Sequence, residues 1–247
     1  MFKRLIYKLL TKNSNKIILA RSACLGNFVW ERLKQQDYNY INHQKSRIDY
    51  ILALAKNKNK VCKPEMVKNF LSNKEIYGFV QMQKRDFLKY DKKRIKLIFM
   101  DSYSELTDQL FEHKQGWSFL ANYGDILDDE NFKNNFISKG LLPVEQIGAY
   151  YAEFFNNLFR VYHNIAVIFL HYPTKLETRE KFLERAQAII KSADLAAEKY
   201  PVYSITVEDE FVDYAEWTDE ENRKLPYHYH TKTYERFVEK IKNLDLI

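Results

Sequence analysis

The sequence predicts an α/β fold of three layers, with a mainly parallel sheet covered by helices on both faces. Three observations lead there. Four short runs, at 17–20, 95–100, 165–170 and 201–207, are mostly apolar. They alternate with stretches of helical periodicity, and each gives way to polar side chains where it ends. Buried parallel strands read as continuous apolar runs rather than as alternating patterns, because helices cover both of their faces.

The elements follow in order. Ile17 to Ala20 reads as the first strand, and Phe28, Val29, Trp30 and Leu33 fall at helical spacing behind Gly26-Asn27. Residues 38–90 read as mostly helical and irregular, with SRIDYILALA and PEMVKNFLS as the clearest helical pieces. RIKLIFM (94–100) is a second buried strand, followed by polar DSYSELTD, and GWSFLANYG reads as a short strand with turns. A long helix covers LPVEQIGAYYAEFFNNLFRVYHN, with proline near its start. IAVIFL (165–170) is another strand, TREKFLERAQAIIKSADLAAEKY a helix and PVYSITV (201–207) a further strand. TKTYERFVEKIKNL closes the chain as an amphipathic helix.

The 247 residues contain no Pro/Gly/Ser-rich linker, so residues 13–247 are expected to form one domain. Two cysteines, Cys24 and Cys62, do not make a disulfide framework, and neither has zinc-site spacing. No run approaches the roughly 20 apolar residues of a membrane span, and the start lacks the apolar core and cleavage site of a secretory signal. The expected location is cytoplasmic.

Charge is unevenly spread. Residues 1–100 carry 23 Lys+Arg against 7 Asp+Glu, and the rest 16 against 26. A basic half can face nucleic acid, an anionic membrane surface or an anionic substrate, or can be a solvated lysine face. Within it, Phe2, Leu5, Ile6, Leu9 and Leu10 lie at helical spacing opposite Lys3, Arg4, Lys8 and Lys12. Residues 2–12 therefore read as a basic amphipathic helix, placed either peripherally on the inner membrane or against the body of the protein.

In open α/β sheets ligands sit outside the carboxyl ends of the strands. Arg21 and Ser22 follow the first run, Asp101 and Ser102 the second, His171 the third, and Glu208, Asp209 and Glu210 the fourth. A serine, a histidine and carboxylates converging on one rim point to a site. Ser22 has two readings, nucleophile or helix cap, since serine also favours the cap position. The pair His228 and His230 in KLPYHYHTKTYERF has three: a metal pair, exposed loop histidines, or a general base delivered to the serine. Pro226 stiffens the approach to His228, and Thr231 is the expected cap of the last helix.

The serine after the first strand, the run of βα units and the histidine before the last helix resemble the SGNH/GDSL hydrolase superfamily, whose elements follow a flavodoxin-like order. ARSACLGN stands where that family has Gly-Asp-Ser, and only the serine matches. FMDSYSELTD stands where Gly-x-Asn-Asp would follow a middle strand, without its glycine or asparagine. PYHYH stands where the family has Asp-x-x-His, but Leu225 and Tyr227 occupy the positions three before the histidines. The chain is similar in these respects to divergent members encoded with bacterial capsule and surface-polysaccharide genes.

The resemblance implies acyl transfer, as an O-acetyltransferase or esterase acting on a polysaccharide or its precursor. Ser22 would attack and His228 take its proton, oriented by Asp209 or Glu208. Asp101, Ser102, His171 and Asn27 would bind substrate or stabilise the oxyanion. No metal and no cofactor is expected, and the partner is a glycan or small acyl substrate, anionic if it uses the basic half. Two other classes stay open. A glycosyltransferase-like enzyme lacks a phosphate loop, which six glycines make hard to place. A glycan- or nucleic-acid-binding module could use the 18 tyrosines and 17 phenylalanines, but stripes such as YYAEFFNNLF read as core, so nucleic acid is disfavoured.

Overall fold

The computed structural model describes residues 16–35, 37–56, 60–220 and 226–247. The expected helix at 2–12 lies outside them. The main sheet has five strands, all parallel, in the order β2-β1-β4-β8-β9. They are β1 (Ile17–Arg21), β2 (Asn39–Asn42), β4 (Ile95–Asp101), β8 (Val167–Leu170) and β9 (Val202–Ile205). The expected parallel α/β sheet is present.

Helices flank the sheet. Helix α1 (Cys24–Leu33) packs against the last helix, α8 (Thr231–Lys242). Another group contains α2 (Ile48–Ala55), α6 (Val144–Val161) and α7 (Glu180–Ala197), with α6 against both α2 and α7. Tyr151, Phe154, Phe155, Leu158 and Phe159 form the buried stripe of α6, so the aromatics of YYAEFFNNLF are largely core. Each such side chain contributes about 1.5–3 kcal/mol on full burial.

The remaining strands form a second sheet, in the order β3-β6-β5-β7. It contains β3 (Lys60–Val61), β5 (Gln109–His113), β6 (Trp117–Ala121) and β7 (Phe136–Gly140), with β5 antiparallel to both β6 and β7. With α3 (Ile76–Gln83) and α5 (Glu130–Asn135) it encloses a separate apolar cluster that includes Val67, Val80, Phe111, Phe119, Phe132 and Phe136.

This lobe departs from the sequence expectation. GWSFLANYG does contain a strand, but its antiparallel neighbours were not anticipated. PEMVKNFLS forms a short 3-10 turn at Pro64–Met66 rather than an α-helix, and the stretch read as helical and irregular contains β2. Strand β2 is an edge strand, half-buried along its length, with polar residues at both ends. It lacks the apolar run by which the central strands are recognised.

A buried polar hub joins the layers. The Arg21 guanidinium donates to both Glu105 oxygens at 2.7 and 2.9 Å, and to the carbonyls of Ser46 and Asp101. Glu105 also accepts from Tyr151 Oη at 2.8 Å and from the Ile48 amide at 2.9 Å. Glu105 belongs to the short helix α4 (Tyr103–Thr107). Arg21 Nε has no acceptor among the described residues, but both terminal nitrogens are bound and the charge is paired with Glu105, so it is tolerated inside; removing one partner typically costs about 3–5 kcal/mol.

Candidate functional site

Strand β1 lies between β2 and β4, and the chain winds outward from it in both directions. The sheet order therefore reverses at β1/β4, and it is outside the carboxyl ends at such a reversal that doubly wound sheets bind ligands. Ser22 sits at this point, one residue after β1, with only 3% of its surface exposed.

Two strands and one helix fix the serine. Its amide donates to Asn42 Oδ1 at 2.9 Å. Asn42 therefore turns its Nδ2 toward Ser22 O at 2.9 Å and Asn27 Oδ1 at 3.0 Å. That orientation obliges Asn27 to present its carbonyl oxygen, since an amide nitrogen could not accept. The Ser22 hydroxyl lies 3.4 Å from the same Asn27 oxygen and 2.7 Å from Tyr40 Oη, which itself donates to Asn27 Oδ1 at 3.3 Å. Tyr40 stacks on Trp30 with ring centroids 5.0 Å apart. Burial, opposed by the Ser22 hydrogen bond, pushes the Tyr40 phenol well above its ordinary value, so the hydroxyl keeps its proton.

The capping reading of Ser22 does not describe this helix. The N-cap of α1 is Ala23, with no side-chain cap. Asp101 serves the helix start instead: its Oδ2 accepts from the amides of Ala23 at 2.7 Å and Gly26 at 3.1 Å, and Oδ1 from the Tyr103 amide at 3.2 Å. Tyr172 Oη accepts from the Leu25 amide at 2.9 Å. Full burial raises the Asp101 carboxyl to about 6, against the pull of those amides. Gly26 is required by contact, because a Cβ there would lie 2.4 Å from Ser22 Cβ.

The other anticipated residues divide. Ser102 is buried beside Asp101, its Oγ accepting from the Tyr172 amide at 3.1 Å. His171 is buried, stacked near Phe169, with Nε2 3.0 Å from Ser204 Oγ. Burial lowers its imidazole to about 4, so it is a neutral core side chain. Glu208 is held by Arg236 and Lys240 of α8, which keep its carboxyl well below the usual range. Asp209 is exposed on a 3-10 turn, where its carbonyl accepts from Lys175. Neither carboxylate contacts a histidine among the described residues.

His228 is half-buried between Phe28 and Trp217, at ring-centroid distances of 6.5 and 5.1 Å. Phe28 follows Asn27 on α1, so the imidazole packs on the helix that also carries Asn27, about 100° round from it. Desolvation lowers its proton affinity, leaving a neutral ring able to accept a proton at pH 7. Among the described residues it makes no hydrogen bond, to Ser22 or otherwise. His230 caps α8 in place of Thr231: its Nδ1 accepts from the Lys232 amide at 3.3 Å and its Nε2 lies 3.2 Å from Glu216.

Tyr40 and Asn42 were missed from the sequence because β2 was missed. The run Asn39-Tyr40-Ile41-Asn42 carries no period of two, so the weak signal that could have found them is the β-favouring pair Tyr40-Ile41 between two asparagines. Among the described residues no three His, Cys, Asp or Glu side chains are grouped to hold a metal ion, and no helix is long and apolar enough to cross a membrane. No family model, no curated protein and no solved structure matches the chain.

Proposed function

We propose that the protein is an acyl-ester enzyme, an O-acetyltransferase or esterase of bacterial polysaccharide or its precursors, with Ser22 as nucleophile and His228 as general base. The observation that carries this reading is the position of the Ser22 hydroxyl, at the reversal point of the sheet and in contact with a tyrosine and an asparagine. Ser22 Oγ bonds to the acyl carbon while its proton passes to the imidazole. The tetrahedral intermediate then collapses, and the leaving alkoxide takes that proton back. Water or a sugar hydroxyl receives the acyl group in the second half.

The imidazole in this scheme is held by Phe28 and Trp217 rather than by a carboxylate, making the centre a Ser-His pair. The glycan rests on the resemblance to SGNH proteins of polysaccharide loci. Incubation with a fluorophosphonate should phosphonylate Ser22, read by peptide mass mapping, and Ser22→Ala should abolish p-nitrophenyl acetate turnover while leaving the circular dichroism spectrum unchanged. Labelling elsewhere, or undiminished turnover in Ser22→Ala, would sink the proposal.

A further inference from the structure

We propose that the hydroxyl of Tyr40 is a side-chain hydrogen-bond donor that stabilises the oxyanion formed when Ser22 attacks an ester, in a site where most main-chain amides after β1 are already committed; this rests on the acyl-ester reading above. Acyl-transfer sites commonly use backbone N–H groups beside the nucleophile for that purpose. Here four of the five amides of residues 22–26 are taken. Ser22 N donates to Asn42, Ala23 N and Gly26 N to Asp101, and Leu25 N to Tyr172. The Cys24 amide alone has no hydrogen-bond partner among the described residues. Asp101 is fully buried and cannot be displaced by solvent or substrate without exposing three amides at once.

Among the side chains around Ser22, Tyr40 is the donor with the weakest existing commitment. Asn42 Nδ2 already serves Ser22 O and Asn27 Oδ1. The network turns the carbonyl of Asn27 toward Ser22 and its amide nitrogen away. Tyr40 Oη lies 2.7 Å from Ser22 Oγ, and its single proton is directed to Asn27 Oδ1 over a longer 3.3 Å, a contact it can exchange for an oxyanion beside Ser22. In the intermediate the oxyanion and Ser22 Oγ share one carbon, so a donor touching one oxygen can reach the other. The carbonyl π pair moves onto that oxygen and accepts from Tyr40, which keeps its proton throughout, while the Ser22 proton goes to His228.

The stack on Trp30 holds the phenol in place, and Tyr40→Phe preserves that stack while deleting the donor. Loss of one oxyanion donor costs about 10²–10³-fold in kcat, so Tyr40→Phe should lower kcat for p-nitrophenyl acetate by about that factor with little change in KM. The matching thionoester distinguishes this role from simple positioning, because a thiocarbonyl sulfur accepts hydrogen bonds poorly. Wild type should prefer ester over thionoester strongly, and Tyr40→Phe should lose most of that preference. An unchanged kcat, or a lowered kcat with the preference intact, would overturn the role of Tyr40. Fluorophosphonate mapping on the same wild-type preparation separates the two claims. A label on Ser22 with either of those results removes Tyr40 alone; no label on Ser22 removes the acyl-ester reading and the role of Tyr40 with it.

Discussion

Asp101 carries a charge in a place without solvent, and its behaviour with pH follows. Its folded value of about 6 lies above the ordinary 3.8 because burial outweighs the three amides. Folding therefore takes up a proton at this site between those values, and a state that binds more protons when folded loses stability as pH rises. The contribution is present below about pH 4, falls between about 4 and 6, and levels off above, with a full span on the order of 3 kcal/mol. Asp101→Asn should remove this segment from the stability profile. Urea midpoints at pH 4, 5, 6 and 7 for both proteins check it, and parallel profiles would count against the assignment.

At the scale of elements, the junction of β1 and α1 is tighter than its sequence suggests. Alanine normally favours a helix over glycine by about 1 kcal/mol. At position 26 the sign reverses, because the new methyl would meet Ser22 Cβ at 2.4 Å and Asp101 Oδ2 at 3.2 Å. Gly26→Ala should destabilise by about 1–3 kcal/mol, as overpacked sites do, and reduce turnover through displacement of Ser22. A thermal midpoint equal to or above wild type would contradict this.

The same junction explains what the sequence could convey. β1, β4 and β8 were legible because each is apolar through its length, and burial on both faces demands that. Ser22 and Asp101 followed from the rule that strand ends make sites, whereas Asn27, inside α1, came only with the resemblance. Arg21 and Glu105 were not legible as partners, since 84 residues separate them and only the closed fold opposes them. His171 misled for the opposite reason: it occupies a strand end, but its ring turns back toward β9. The lobe strands were hidden by their brevity and mixed polarity, which give periodicity little to work on.

Across the molecule, a single guanidinium fastens the lobe. Arg47 Nη1 donates at 3.0 Å to the carbonyl of Asp108 and at 3.0 Å to that of Gly140, the two ends of the segment that forms β5 to β7. Lys45 adds a bridge to Asp125 at 2.7 Å, and Tyr50 Oη donates to Ser118 O at 3.0 Å. Arg47→Ala would leave both carbonyls without that donor, at a cost of about 2–3 kcal/mol for buried groups. Amide exchange in β5, β6 and β7 should then accelerate by about 30- to 150-fold relative to β1, β4 and β8. Equal acceleration in both sheets would mean that they open as one unit.

The lobe draws on two stretches of chain, 60–83 and 109–140. Lys60 pairs with Trp117, Leu71 bridges Ile126, and Gln83 exchanges hydrogen bonds with Leu120. Strand β4 of the other sheet runs between these stretches in sequence. No single excision from the gene can therefore deliver the lobe by itself. A fragment spanning 60–140 would carry Ile95–Asp101 stripped of β1 and β8, an apolar ribbon with both hydrogen-bonding edges open and prone to pair with its own copies. During synthesis the first stretch must also wait on the ribosome until β4 and then β6 have emerged, so the lobe closes only after the central strand of its neighbour has been made.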